Sequence, residues 1–456
     1  MAKKAAVASA KKTAEKAVDK ASAPVKAKAA KPKASPKKAE AKAAASASAS
    51  IAEKTPREFD VVLFGASSFV GKYVAQHLQR RAQETGLRWA IAGRSAAKLA
   101  AIKLELGAPE LPVVLAEAHD AAALADLAGR TKAIASTVGP YALYGSELVA
   151  ACAAQGTDYC DLTAEIPWVR RMMNAHGATA AKTGARIVHG CGFDSIPSDL
   201  GTWFLQQRAQ DAFGAPCSFV KMRLKKASGG FSGGTIASLT DMVTTGAADA
   251  EVRQLLLNPY ALMDYGSAGS QKDKWLAAYD RDAREWRAPF IMAPINSRVV
   301  QRTNFLLGLP WGVDFVYDEA MLTGSGPLGA VMAGGVTAAL GGLVGMMALK
   351  PTRAILQKVL PAPGEGPSLK AIENGFFEMH AYGRTASGEK IKAIIRGKRD
   401  PGYGATSRML AEASMSLALD RDESSVGGGF WTPATAMGQK LLDRLEAHAG
   451  MSFSVV

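Results

Sequence analysis

A glycine- and serine-rich turn near the start of the sequence has the residue types and spacing of an anion-binding site. The turn consists of Gly65, Ala66, Ser67, Ser68, Phe69, Val70 and Gly71. Gly65 permits a tight turn, the two serines offer hydroxyl and N–H groups, and a helical pattern begins beside them. The N-terminus of a helix attracts phosphate. We therefore predict a site for the pyrophosphate of a dinucleotide, the alternative being a strand-to-helix turn that binds nothing.

A second set of polar residues, Arg94, Ser95 and Lys98, follows the next predicted strand. Sites for NAD commonly place an acidic residue here to hold the ribose 2′-hydroxyl. This chain offers three donors and no acid, which suits a 2′-phosphate. The pattern favours NADP over NAD. The alternative is that Arg94 and Lys98 are solvated residues at the start of a helix and bind no ligand.

Residues after the third and fourth predicted strands extend the expected cofactor site. Asp120 is a candidate N-cap or adenine contact. Ligands of open parallel sheets lie outside the carboxyl ends of the strands, so the segment after the fourth strand should border the nicotinamide. That segment contains Thr137, Val138, Gly139 and Pro140. Gly139 would let the backbone approach the ring.

Three side chains near this segment are candidates for proton transfer. Tyr141 and Tyr144 bring phenolic hydroxyls to the same region, and Asp194 follows a buried strand that also contains His189. A buried tyrosine or histidine is more often a packing residue with a satisfied polar atom. No metal site is predicted, because the six histidines lie far apart and lack ligand spacing.

Several longer motifs resemble a known family. They are Tyr159-Cys160-Asp161-Leu162-Thr163-Ala164-Glu165, the stretch from Gly192 to Gly201, Asp400-Pro401-Gly402-Tyr403, and the helix start from Gly428 to Ala434. Together they resemble the saccharopine dehydrogenase-like superfamily, closest to its trans-acting enoyl reductase branch, although Ala164 stands where these relatives usually carry glycine. The resemblance implies a Rossmann domain, an inserted α+β second domain and NAD(P)-linked oxidoreduction.

The expected fold class is therefore α/β, a doubly wound parallel Rossmann sheet with an α+β insertion. The predicted boundaries are a disordered Lys/Ala-rich tail at 1–56, a dinucleotide-binding domain at 57–200, a substrate or dimerisation domain at 201–424, and a C-terminal helix at 425–456 that returns to the Rossmann domain.

Composition distinguishes the basic N-terminal tail from the rest of the chain. The 456 residues are 48% hydrophobic, and the four cysteines are too sparse for a disulfide framework, which favours a reducing cytosol. Residues 1–50 hold 13 lysines, no arginine and 3 acids, and so carry +10 of the net +14. Such a tail would contact nucleic acid or acidic lipid without reading sequence, or would only improve solubility. It has neither a secretory apolar region nor the arginines of a mitochondrial presequence.

The segment from Ala320 to Leu349 contains no charged residue. A helix over about 328–349 would be roughly 33 Å long, and Lys350, Arg353 and Lys358 follow it. The favoured interpretation is a packed helix that lines an acyl-binding surface or a homodimer interface. Peripheral membrane contact through 328–358 comes second, and a transmembrane span third. The expected location is the cytoplasm, with the inner face of the plasma membrane as a peripheral site.

Three functional hypotheses follow. The first is an NADP-dependent oxidoreductase that reduces a carbon–carbon double bond of a lipid- or polyketide-type enoyl substrate. The second is a saccharopine-type enzyme acting on a C–N bond, for which Arg223, Lys225, Lys226 and Arg298 would bind carboxylates. The third is a non-catalytic, NADP-binding adaptor whose tail attaches it to a membrane or to DNA.

Overall fold

Two seven-stranded sheets organise the part of the chain that the structure describes. The structure, a computed structural model, describes residues 56–229, 233–264, 269, 271–349, 351–353, 356, 366–421 and 426–456. Most of the predicted tail, Lys350, Lys358 and the predicted boundary at 424–425 lie outside these residues.

The first sheet is parallel and has the Rossmann order. Its strands are β1 (Phe59–Phe64), β2 (Trp89–Gly93), β3 (Val113–Leu115), β4 (Thr131–Ser136), β5 (Asp158–Asp161), β6 (Arg186–Val188) and, from the end of the chain, β13 (Gly429–Trp431). They pair in the order β13-β6-β5-β4-β1-β2-β3. Val61, Val62 and Leu63 are fully buried, as expected of an apolar central strand that is covered on both faces. The predicted Rossmann fold is confirmed.

Helices alternate with these strands. They are α1 (Phe69–Thr85), α2 (Ala96–Glu105), α3 (Ala121–Arg130), α4 (Tyr141–Tyr144), α5 (Ser146–Gln155) and α6 (Ile166–Thr183). Side chains of Ser68, Ser95 and Asp120 cap the first three helices by accepting N–H groups of the first turn. Each of these helices therefore begins at the carboxyl end of a strand, where the predicted ligand residues lie.

The second sheet is mixed. Its strands are β7 (Cys217–Ser228), β8 (Ala278–Asp280), β9 (Glu285–Ala288), β10 (Val316–Gly324), β11 (Phe376–Thr385), β12 (Lys390–Lys398) and β14 (Met451–Val455), in the order β14-β12-β11-β7-β10-β9-β8. Its associated helices include α7 (Ile196–Phe213), α8 (Gly233–Ala248), α9 (Ala250–Leu257), α10 (Ala293–Leu306), α11 (Gly326–Ala348) and α12 (Leu369–Asn374). The predicted hairpin around Ser387-Gly388 is present as β11 and β12.

The chain returns to the Rossmann sheet through α13 (Thr406–Leu419), which packs against α1, β1, β4 and β5. The buried Glu412 of α13 lies 2.7 Å from His77 of α1, so the helix is held by a polar contact as well as by apolar packing. After β13, α14 (Pro433–Arg444) leads to β14 in the second sheet. The C-terminal segment thus contributes a strand to each sheet.

Candidate functional site

The turn between β1 and α1 has the shape that the glycine pattern predicts. Gly65 has a φ of +92°, and a Cβ atom on it would lie 2.6 Å from Val138 Cγ2. The Ser68 side chain accepts the Gly71 N–H at 2.9 Å. The first N–H groups of a helix have no acceptor within the helix, so those of Phe69 and Val70 remain for a ligand. The mouth of α1 therefore has the donors that an anionic bridge needs.

The two serines of this turn do different things. Ser68 donates its backbone N–H to Gly65 O at 2.9 Å, and its hydroxyl lies 3.0 Å from Thr137 Oγ1. Thr137 in turn donates to Gly65 O at 2.9 Å. The Ser68 hydroxyl is thus engaged by the cap and by the contact between β1 and β4. Both serines line the adjacent cavity, and their roles as ligand donors stay predictions.

Arg94 and Lys98 lie exposed at the carboxyl end of β2, on either side of the cap residue Ser95. Neither cation is within 4 Å of a carboxylate in the described residues. Two unpaired cations where an NAD site would carry an acid fit a 2′-phosphate. Asp120 accepts the N–H groups of Ala122 and Ala123, which confirms it as an N-cap; an adenine contact stays a prediction.

The three predicted proton-transfer residues lie in different surroundings. Tyr141 is buried, its hydroxyl donates to Ser136 O at 3.0 Å and accepts the Leu162 N–H at 3.1 Å, and burial raises its pKa well above the usual value. Its proton is therefore committed to the backbone. Tyr144 is exposed beside His119 and does not line the cavity. Asp194 lines the cavity, and burial raises its pKa to about 7.

A cavity of about 1160 Å³ adjoins the mouth of α1 and brings many of the predicted residues together. Its wall includes Ser67, Ser68, Phe69, Val70, Thr137, Gly139, Pro140, Tyr141 and Asp194. Gly65, Ala66, Gly71 and Val138 lie behind this wall, where they shape the turn. Arg94, Ser95, Lys98 and Asp120 lie outside it, after β2 and before α3.

The far side of the cavity belongs to the second sheet and its helices, and it is apolar. Its residues include Leu224, Leu239, Met242, Phe290, Met292, Ile295, Met321, Val336 and Leu340. Among the described lining residues the charged side chains are Asp194, Lys72 and Glu105, and the last two form a 3.0 Å ion pair. Sequence patterns gave no signal for most of this wall, because its residues come from distant parts of the chain.

Glu165 is a site residue whose role the motifs did not reveal. Its carboxylate accepts the N–H groups of Tyr141 and Ala142 at 3.0 and 2.7 Å and the Ser238 hydroxyl at 2.8 Å. Burial raises the pKa of Glu165. The residue thereby fixes the start of α4, next to the predicted nicotinamide position, and joins it to α8. By contrast, His189 lies 2.7 Å from Asp161 in the interior, away from the cavity lining.

Comparison with known proteins agrees with this geometry. Residues 61–188 match the family model of the saccharopine dehydrogenase NADP-binding domain. A trans-acting enoyl reductase homologue from Mycobacterium tuberculosis is 43% identical over 87% of this chain and 97% of its own length. A trans-acting enoyl reductase from Mycobacterium ulcerans is 39% identical over 85% of this chain and 96% of its own length. The chain belongs to this reductase family.

Membership of the family makes the chain an NADP-dependent oxidoreductase, as the donors after β2 and the matching NADP-binding domain indicate. Among solved structures, apo saccharopine dehydrogenase from Saccharomyces cerevisiae is 12% identical, with a TM-score of 0.49 over 87% of this chain and 99% of its own. Within the described residues, no cluster of three or more His, Cys, Asp or Glu side chains has the arrangement of a metal site.

Proposed function

We propose that this family member reduces the carbon–carbon double bond of an enoyl thioester that carries a lipid-type acyl chain. The observation that carries the proposal is the cavity, which runs from the mouth of α1 to an apolar wall formed by the second domain. A ligand that reaches both ends needs a reactive group near Gly139 and a hydrocarbon chain beyond it. The names of the relatives, trans-acting enoyl reductases, support the reaction type.

The residues present fit NADP. The N–H groups at the mouth of α1 would bind the pyrophosphate, and Arg94 and Lys98 would bind the 2′-phosphate. Gly139 would let the backbone approach the nicotinamide. NADPH, when bound, supplies the hydride for the β-carbon of the substrate. The remaining requirement is a proton for the α-carbon. Asp194 is the lining residue suited to give it, because a carboxyl with a pKa near 7 keeps its proton in about half of the molecules at neutral pH.

No side chain among the described residues donates a hydrogen bond to the Asp194 carboxyl. Its proton is therefore free for a ligand, in contrast to the hydroxyl proton of Tyr141, which Ser136 O accepts. In the proposed reaction the Asp194 O–H bond breaks as the α-carbon–hydrogen bond forms. The carboxylate that remains takes a proton from water before the next turnover.

The saccharopine-type alternative loses its carboxylate-binding residues in this geometry. Arg223 is fully buried and pairs with Asp280 and Asp318, both at 2.8 Å. Arg298 pairs with Asp273 at 2.7 Å, and Lys225 pairs with Glu285. Lys226 is exposed, and none of the four cations lines the cavity. A substrate with several carboxylates would meet a mostly apolar wall, which opposes the binding of charge.

The test is consumption of NADPH by the purified chain in the presence of enoyl thioesters of increasing acyl length. We expect oxidation of NADPH with the unsaturated thioesters, none with the matched saturated thioesters, and slower oxidation with NADH in place of NADPH. Lysine or glutamate together with a 2-oxoacid forms the comparison panel. Turnover with that panel, and none with any enoyl thioester, would replace the proposal with C–N chemistry.

A further inference from the structure

Helix α11 lies on the surface, with an inner side that packs against the protein and an outer side that is exposed. It contacts α8, β8, β9 and β10. The inner side includes the buried Gly329, Ala333 and Met347, while Val336 and Leu340 line the cavity. The helix therefore forms part of the wall between the apolar end of the cavity and the surroundings of the protein.

The outer side of α11 is apolar along its whole length. Leu328 and Val331 are each 71% exposed, and Met332, Val344 and Met346 are also exposed. The other exposed positions between them are glycine and alanine. An uninterrupted apolar surface of this length is uncommon on a monomeric protein in water and marks an interaction site.

Exposed aromatic residues also occur at the neighbouring edge of the second sheet. Strand β8, which α11 contacts, carries the exposed Tyr279, and it is preceded by Trp275 at 53% and Leu276 at 74% exposure. Tryptophan and tyrosine are the side chains that settle at the boundary between lipid headgroups and hydrocarbon. We call Leu328, Val331, Met332, Trp275 and Tyr279 the apolar face.

The sequence that follows the end of α11 is positively charged. No acidic residue occurs from Ala320 to Gly364, whereas Lys350, Arg353 and Lys358 fall in this stretch. Arg353, just beyond the end of α11, has no carboxylate within 4 Å among the described residues. An apolar helix surface that is followed in the sequence by cations is complementary to acidic phospholipid.

By length and composition α11 is the one helix in the described residues that could cross a membrane, yet its placement argues for another use. Only 11% of its most apolar 18-residue stretch is buried, so it is not a core helix. Because its inner side packs along β9, β10 and α8, a span would carry these elements into hydrocarbon. If α11 lies in the plane of the bilayer surface, its inner side keeps its contacts with the protein and its outer side contacts lipid.

We propose that the apolar face docks on the surface of a bilayer that contains anionic phospholipid, with α11 parallel to the membrane plane. The docking places Val336 and Leu340, and hence the apolar end of the cavity, beside the lipid phase. An acyl chain that is dissolved in the membrane then reaches the cavity without crossing water.

The test is co-sedimentation of the full chain with phosphatidylcholine vesicles that either contain or lack phosphatidylglycerol. The test variant is Leu328→Asp with Val331→Asp. The matched control is Leu104→Asp with Leu257→Asp, which adds the same charge at exposed leucines on α2 and α9. We expect the wild type and the control to bind anionic vesicles, and the test variant to bind about tenfold or more weakly, because two inserted side chains are lost.

Other outcomes overturn the proposal. Equal binding of wild type and test variant would assign vesicle binding to another part of the chain, such as the basic tail. A wild type that is a dimer in solution, ignores both kinds of vesicle and becomes a monomer in the test variant would make a second copy the occupant of the apolar face. Reduction of a soluble short-chain enoyl thioester reports on folding and on the proposed function, independently of docking.

Discussion

The assignment of the proton to Asp194 makes a quantitative prediction for Asp194→Asn. Burial raises the pKa of this carboxyl from 3.8 to about 7. At pH 7 about half of the molecules then carry the proton, compared with fewer than about one in a thousand for an ordinary aspartate. Asparagine keeps the shape but has no acidic proton. We expect kcat to fall by about 10² to 10⁴, the usual contribution of a general acid, while NADPH binds as in the wild type.

The assay is the pH profile of kcat with saturating NADPH and an enoyl thioester. Because the acid must be protonated, the wild-type rate should decrease as pH rises through about 7, and the residual rate of Asp194→Asn should not show this step. Tyr141→Phe serves as the comparison, since its hydroxyl is bound to backbone groups and its loss should reduce stability more than kcat. A variant Asp194→Asn with kcat within about threefold of wild type would refute the reasoning.

Stability provides a second measurement of the same pKa. Between about pH 4 and 7 the folded protein binds the Asp194 proton more tightly than the unfolded chain, so the free energy of unfolding falls as pH rises and levels off above about 7. The full effect is at most about 4 kcal/mol. Asp199 and Glu319 also have pKa values raised to about 7 by burial, so Asp194→Asn should remove only its own share.

Three further variants test other parts of the site. Arg94→Ala should weaken NADPH binding about tenfold or more in a fluorescence titration and leave NADH unaffected; an equal loss for both would contradict a 2′-phosphate contact. Gly65→Ala places a Cβ 2.6 Å from Val138 Cγ2 at a φ of +92°, so thermal unfolding should show a loss of about 1–3 kcal/mol and both nucleotides should bind poorly. Met321→Trp fills the apolar wall and should lower kcat/KM for long acyl chains about tenfold while sparing short ones; a uniform loss across chain lengths would exclude an acyl site there.

The Rossmann half of the site could be predicted because its information is local. The strand β1, the conformation of Gly65 and the cap at Ser68 lie within ten residues of one another, and each has a characteristic sequence preference. The donors after β2 follow from their position at the end of a parallel strand. The same local reasoning placed Tyr144 beside the nicotinamide, whereas its side chain does not line the cavity. Proximity in sequence to Gly139 does not determine which way a short helix presents its side chains.

The apolar wall could not be predicted for the opposite reason. Leu224, Met242, Phe290, Met321 and Leu340 lie on five different elements, and only the order of the second sheet brings them together. The extent to which α11 is exposed was equally hidden. An uncharged helix has the same composition in a core, in a bilayer or on a surface, and its burial depends on which strands it packs against.

Contacts join the proposed cofactor site in the first domain to the proposed acyl site in the second. The ring centroid of Phe69, at the mouth of α1, lies 4.6 Å from that of Tyr403, which follows β12 of the second sheet. Glu165 accepts N–H groups at the start of α4 and the hydroxyl of Ser238 on α8, and α8 also supplies Leu239 and Met242 to the apolar wall. If a substrate chain displaced α8, the displacement would therefore act on the Glu165 carboxylate, and through it on the backbone beside Gly139. In that case NADPH binding would change the affinity for the acyl chain by the same factor as the acyl chain changes the affinity for NADPH, since coupling between two binding sites is reciprocal.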